Sequence, residues 1–356
     1  MSTAPVIDAA KMNEFLGRAV GDIGAAISAA LVIIGDKLGL YKAMAGAGPV
    51  TPAELARRTE TTERYVREWL GNQAAGGYVS YDPATGRYSL PPEQAAALAD
   101  ESSPAFLPGA FQMIAAAMKA EPRIAENFRT GAGLDWCDHD PMLFVGTERF
   151  FRSGYIGHLT SHWIPALDDV EDKLKTGGSV ADVGCGHGAS TILMAKTYAQ
   201  ARFVGFDYHE GSIQAARRRA KEAGVDDRVR FEVARAQDFP GTGYDLVACF
   251  DCLHDLGDPG GAARHIRKTL AREGTWMLVE PFANDRVEDN LNPVGRVYYA
   301  ASTMLSVPCS LAGKGPALGA QAGETRLRHV VVGEGGFTRF RRATETPFSM
   351  VLEARP

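Results

Sequence analysis

The chain has 356 residues, 45% of them hydrophobic, and a formal net charge of −5. That length accommodates two domains of roughly 100–200 residues each. A mildly acidic balance does not prime the chain, through its overall charge, to bind nucleic acid or anionic lipid, and nothing in the composition points to a disordered tail.

The opening "MSTAPVIDAA" has no basic region followed by an apolar run, so no secretory signal is expected and the cytoplasm is the expected compartment. The most apolar segment, Ile23 to Ile34, is bounded by Asp22 and Asp36. It is shorter than the ~20 residues a membrane helix needs and reads as a buried helix. "GDKLGLYKAM", "TPAELARRT" and "TERYVREWLGNQAAGGY" then read as three short helices. The second carries Thr51 as N-cap, Pro52 at the first helical position and Glu54 three residues after the cap; the third starts the same way near Thr62. "YVSYDPATGRYSL" alternates around the turn residues "DPATG", the mark of a β-hairpin. Three helices and a hairpin make a winged helix. Its third helix sets Arg64 and Arg67 beside Glu63 and Glu68, a balanced face that favours packing or dimerisation over DNA binding.

From about Pro104 to Leu167, apolar runs such as "AFQMIAAAMKA" and "ERFFRSGYIGHLTSHWIPAL" read as connecting helices expected to cover a cleft. From Ser179 strands and helices alternate, which predicts a doubly wound parallel α/β sheet. Near the end, "GGFTRFRRATETPFSMVLEARP" has two extended runs joined by a short turn, as an antiparallel last strand requires. The expected division is a helical winged-helix domain over 1–102, connecting helices over 103–170 and a Rossmann-like domain over 171–356.

Five cysteines, Cys137, Cys185, Cys249, Cys252 and Cys309, form an odd set, so a disulfide framework is not expected. Cys249 and Cys252 make a C-x-x-C without a second pair nearby, and read as buried or pocket-wall thiols; no metal site is expected.

"VADVGCGHGAS", Val180 to Ser190, places Gly184, Gly186 and Gly188 directly after an apolar run. Such a turn leaves backbone N–H groups free to meet a ligand, but the pattern fits a dinucleotide as well as other adenosine ligands. Asp182 lies inside the strand before it, where a carboxylate would repel a pyrophosphate and attract an α-amino group. Asp207 ends the next strand, where an acid can accept ribose hydroxyls, and Asp238 follows the third, placed for an adenine amino group with Phe239 near enough to stack.

Three acids at three successive strand ends, with an antiparallel finish, resemble the class I methyltransferases that use S-adenosylmethionine. The resemblance covers about half the chain, from Ser179 onward. It implies a seven-stranded sheet and a cofactor held by Asp182, Gly184, Cys185 and Gly186 at the methionine end, by Asp207 at the ribose, and by Tyr208, Gln237, Asp238 and Phe239 at the adenine, with Gly188 and Asp251 also among the cofactor-binding residues. "FDCLHDLGDP", Phe250 to Pro259, resembles the "LHDW-x-D" stretch of two-domain small-molecule O-methyltransferases of plants and actinomycetes, with Leu256 in place of the tryptophan. That likeness implies His254 as the base that takes the acceptor proton, Glu280 in "LVEP" as the acid that orients it, and a homodimer built through the winged helix. Tyr298, Tyr299, Met304 and Leu305 recur at near-helical spacing in the insertion after the fifth strand, a stripe that reads equally as core or as acceptor pocket; because insertions here lie over the carboxyl edge of the sheet, a small, largely apolar acceptor is expected. N- or C-methyl transfer without a base, a nicotinamide oxidoreductase and an S-adenosylmethionine-sensing winged-helix regulator remain as alternatives.

Overall fold

The computed structural model describes residues 7–356; residues 1–6, the first six of the ten in the "MSTAPVIDAA" reading, lie outside the described residues. The chain forms two compact units that divide between Ala115 and Ala116.

The first unit opens with α1 (Ala9–Lys37), followed by α2 (Leu40–Met44), α3 (Pro52–Arg58), α4 (Glu63–Ala75), the hairpin strands β1 (Ser80–Asp82) and β2 (Arg87–Ser89), and α5 (Pro92–Leu98). Thr51 closes a full capping box with Glu54 at the start of α3, while Thr62 stands at the N-cap of α4 without a side-chain bond to it. Apolar side chains from these elements, including Val32, Leu40, Leu55, Val66, Trp69, Val79 and Leu90, make one core. Within it the Tyr41 hydroxyl donates to Gln73 Oε1 at 2.5 Å.

The expectation for Ile23 to Ile34 is corrected. The helix runs 29 residues, and only Ala29, Val32, Ile33 and Gly35 are buried. Ile23 and Ile27 are 69% and 70% exposed, because one short module can cover only the end of so long a helix. By length and composition alone α1 is also long and apolar enough to cross a membrane, which overturns the reading that it is too short to do so.

Helix α6 (Pro108–Met118) carries the chain across the division, so the segment expected as connecting helices is shared between the units. The second unit continues with α7 (Glu121–Thr130), α8 (Met142–His158) and α9 (Val170–Thr176). Then β3 (Ser179–Val183), α10 (Ala189–Thr197), β4 (Arg202–Asp207), α11 (Glu210–Glu222), β5 (Val229–Val233), β6 (Tyr244–Phe250), α12 (Pro259–Thr269) and β7 (Leu270–Pro281) alternate as the sequence predicts. The insertion folds into α13 (Pro293–Ala301) and α14 (Val307–Ala312), followed by α15 (Gly323–Arg328) and the strands β8 (Arg339–Glu345) and β9 (Ser349–Arg355).

The seven strands lie in the order β5-β4-β3-β6-β7-β9-β8. All pairs from β5 to β7 are parallel, and β9 runs antiparallel between β7 and β8. Alternate residues of the buried strands feed opposite layers. Val180, Leu246 and Ala248 pack with α10 and α11 residues such as Met194 and Ile213, while Ala181, Val247 and Cys249 pack with Ile266 of α12 and Leu327 of α15. Covered on both faces, the sheet leaves the carboxyl ends of β3 to β7 as the place for chemistry.

Candidate active site

The glycine turn follows β3 directly. The N–H groups of Gly184 and Cys185 both donate to Phe206 O, at 2.8 and 3.0 Å, which ties the turn to β4. Gly188 sits at φ +79°, and a Cβ there would meet the Phe231 ring at 2.6 Å. At Gly186, φ +51°, a Cβ would meet nothing within 4 Å, so this is the point of the turn with room for a ligand. The Cys185 thiol is buried in the core and its carbonyl accepts from Gly188 N–H at 2.8 Å. Cys185 thus helps to build the turn, its thiol facing the core.

Asp182 has no solvent exposure. Its Oδ2 accepts from the Ser190 and Thr191 hydroxyls, both at 2.6 Å, which clamps the first turn of α10 to the strand. Its Oδ1 is buried without a partner. Burial pushes the carboxyl up to about 6. Asp207, at the end of β4, accepts from Gly186 N–H at 2.9 Å and from His209 N–H at 2.8 Å, one on each oxygen. Burial raises this carboxyl too, and each oxygen keeps a lone pair for a further donor.

Beyond β4 the Tyr208 hydroxyl donates to Asp135 Oδ1 at 3.3 Å, and the Gln237 amide donates to Asp258 O at 3.2 Å. Asp238 is exposed and accepts from Arg235 N–H at 3.3 Å. Phe239 is only 1% exposed and packs against Phe206 and His265, with ring centroids 5.0 and 4.6 Å away. The expectation that it stacks on a ligand is therefore corrected: its ring belongs to the core and has no free face.

The β6 end brings a second group together. Asp251 leaves the strand at φ +49°, an uncommon conformation for a residue with a side chain. Its N–H is held by Val279 O at 2.8 Å, and its Oδ1 is sealed from solvent without a partner. Burial first, then the nearby Glu280, raise its carboxyl well above the ordinary range. A single 3-10 turn, Leu253–Asp255, follows. Glu280, at the end of β7, accepts from Leu253 N–H through Oε1 at 3.1 Å and meets His254 Nδ1 through Oε2 at 2.5 Å. The other ring nitrogen, Nε2, lies 3.1 Å from Asp255 Oδ1. Cys252 joins this group to the glycine turn: its thiol donates to Val183 O at 3.5 Å, and its Sγ lies 2.9 Å from where a Gly184 Cβ would be.

In the insertion, Tyr298 is buried and donates to Phe348 O at 2.5 Å, and Leu305 is buried as well; Tyr299 and Met304 are half-buried. All five cysteines are free, and among the described residues no group of three or more His, Cys, Asp or Glu could hold a metal ion. Ser190, Thr191 and Asp255 escaped the sequence reading as site residues. The first two carried a signal, two adjacent hydroxyls at the helix start that a buried acid in the preceding strand can bind.

Residues 174–312 match the family model described as a methyltransferase domain, and residues 25–100 match that of an Rv2258c-like winged HTH domain. The chain thus joins a winged helix–turn–helix domain to a methyltransferase domain. It is 34% identical over 107 residues to 27-O-demethylrifamycin SV methyltransferase of Amycolatopsis mediterranei, a match covering 30% of this chain and 39% of that protein. The chain spans less than two thirds of the length of the curated relatives it matches. The same fold is found in mitomycin 7-O-methyltransferase, at 18% identity and TM-score 0.71 over 98% of this chain and 100% of that one. Human N-acetylserotonin methyltransferase, solved with S-adenosylmethionine, shares it at 15% identity and TM-score 0.70 over 99% of each chain. The antiparallel β9 and the matching domain set aside the nicotinamide reading of the glycine turn.

Proposed function

We propose that this protein transfers the methyl group of S-adenosylmethionine to a hydroxyl of a small, largely apolar molecule, with His254 as the base. The observation that carries this reading is the Glu280–His254 pair packed, through Cys252, against the glycine turn. The residues of the turn suit the cofactor: Gly186 leaves open space, Asp207 has lone pairs for a ribose diol, and Asp182 and Asp251 each keep a buried, partnerless oxygen for the ammonium end. Tyr208, Gln237 and Asp238 border the adenine side.

The bound cofactor supplies an activated methyl group. Glu280 holds Nδ1 of His254 and so assigns Nε2 the task of taking the acceptor proton as oxygen meets carbon. Buried surroundings exclude water, and alignment of oxygen, methyl and sulfur supplies much of the acceleration. A regulator reading has less support, because Arg64 and Arg67 of α4 are paired with Glu68 and Glu63. The free cysteines suit a reducing compartment such as the cytoplasm. We further propose a homodimer through α1.

A screen of phenols, alcohols and amines with methyl-labelled cofactor tests the reaction. His254→Ala is expected to lower kcat about 10²–10⁴-fold with cofactor affinity by calorimetry nearly unchanged, and Glu280→Gln to lower it less. Turnover of the alanine variant within a few-fold of wild type, or an amine or carbon as the best acceptor, removes the base role.

A further inference from the structure

The two ring nitrogens of His254 are held by two different carboxylates, and the two carboxylates are not equally fixed. Glu280 is 1% exposed, and its second oxygen is pinned by Leu253 N–H at 3.1 Å. Asp255 has a side chain 18% exposed and sits on a single 3-10 turn held by its N–H bond to Cys252 O at 3.2 Å. Its Oδ1, 3.1 Å from Nε2, has no aligned hydrogen bond. An imidazole flanked in this way offers no lone pair to an acceptor, because a proton sits on each nitrogen when both face carboxylates. A general base at this site therefore needs one partner to let go, and Asp255 is the one free to do so.

We propose that Asp255 is a positioning residue that keeps Nε2 of His254 protonated in the free protein and gives up that place to the acceptor hydroxyl, so that His254 becomes a base only when acceptor is present. The inference rests on the reading of His254 as the base. As Asp255 turns outward it carries the Nε2 proton to solvent. The freed lone pair then takes the hydroxyl proton while the oxygen–carbon bond forms and the carbon–sulfur bond breaks, its electron pair staying on sulfur. Atoms and charge balance, and His254 ends protonated again.

The electrostatics agree. Burial alone would lower the imidazole, but Asp255 and Glu280 outweigh it and hold it well above its ordinary value. The other titratable groups around it are Asp251 and Cys252 from the β6 end, Cys309 of α14 close to Asp255, and Tyr298 of α13 close to Asp251. The hydrogen bond with Cys249 and then burial raise the Cys252 thiol, and burial raises that of Cys309, so neither thiol neutralises the imidazolium.

The test is the titration of His254 by NMR in the full chain labelled at histidine, without cofactor or acceptor, the signal being assigned by its loss in His254→Gln. Asp255→Asn is expected to lower the proton affinity of His254 about tenfold or more and to move the acidic limb of kcat/KM to lower pH by the same factor, while Asp255→Glu keeps both near wild type. Asp255→Ser replaces the asparagine variant if thermal melting shows that variant unfolded. An unmoved His254 titration overturns the proposal whatever the activity. Failure to bind S-adenosylmethionine would instead overturn the functional reading and leave this measurement standing.

Discussion

Asp182 receives two hydroxyl donors on one oxygen and none on the other, inside a strand with no access to water. Its carboxyl therefore keeps a proton up to about pH 6 in the folded chain, against an ordinary value of roughly 3.9 unfolded. Below about pH 4 both states are protonated and the group is neutral to folding. As pH rises from there to about 6 the unfolded chain loses its proton first, so the folded state is progressively destabilised, and above pH 6 the penalty is constant. Asp182→Asn keeps acceptors for Ser190 and Thr191 but cannot ionise. Relative to wild type its melting temperature is expected to gain steadily between pH 4 and pH 6 and then level off. A difference between the two curves that does not change with pH would show that Asp182 is already ionised at pH 4. For the proposed cofactor the sign reverses: an ammonium group needs the ionised carboxylate, so affinity of wild type rises with pH through about 6.

At the scale of elements, the glycine turn separates two demands that the sequence writes with the same letter. Gly188 combines a left-handed backbone with a neighbour in the way, Phe231 at 2.6 Å from the missing Cβ. Gly186 has the left-handed backbone and open space. A side chain in that conformation costs roughly 1–2 kcal/mol, and forcing a methyl group into a packed site adds typically 1–3 kcal/mol. Gly188→Ala is thus expected to lower unfolding stability by about 2–5 kcal/mol in urea melts. Gly186→Ala is expected to cost about 1–2 kcal/mol and to spend its main effect on cofactor affinity. The opposite order in the melts would mean that the ligand space has been assigned to the wrong glycine. The capping box on α3, the hairpin and the strand–helix alternation were legible because each depends on residues close in sequence. Phe239 was not: Asp238 and Phe239 are adjacent in an irregular loop after β5, and the side one of them faces is decided by Phe206 and His265, far away in the chain. The direction of the Cys185 thiol was hidden for the same reason, since it turns into the core against Gly205 of β4. The role of Asp255 beside His254 was hidden because it depends on Glu280, 26 residues from the histidine, occupying the opposite nitrogen.

For the whole molecule, the long first helix poses the largest unanswered demand. Leu16, Val20, Ile23, Ile27 and Ile34 are all exposed, and their spacing of three, four and seven residues lines them along one stripe of α1. Its 29 residues extend roughly 40 Å at the rise of an α-helix, long enough to contribute a large part of the ~800 Å² that each partner buries in a stable interface. The sequence led to the expectation of a homodimer through the N-terminal region but gave Ile23 to Ile34 as a buried helix, because an apolar run does not say which neighbour covers it. A second copy of the same chain satisfies the stripe without any further component, since a two-fold axis sets identical stripes against each other. Light scattering at micromolar concentration is expected to give twice the chain mass. Replacing Ile23 and Ile27 together by Asp is expected to give the single chain mass, with cofactor affinity nearly unchanged, because both residues lie in the first unit and the cofactor residues in the second. A monomer mass for the wild type would remove the dimer. If that monomer then sediments with phospholipid vesicles and the Asp variant does not, the stripe belongs to a membrane surface instead.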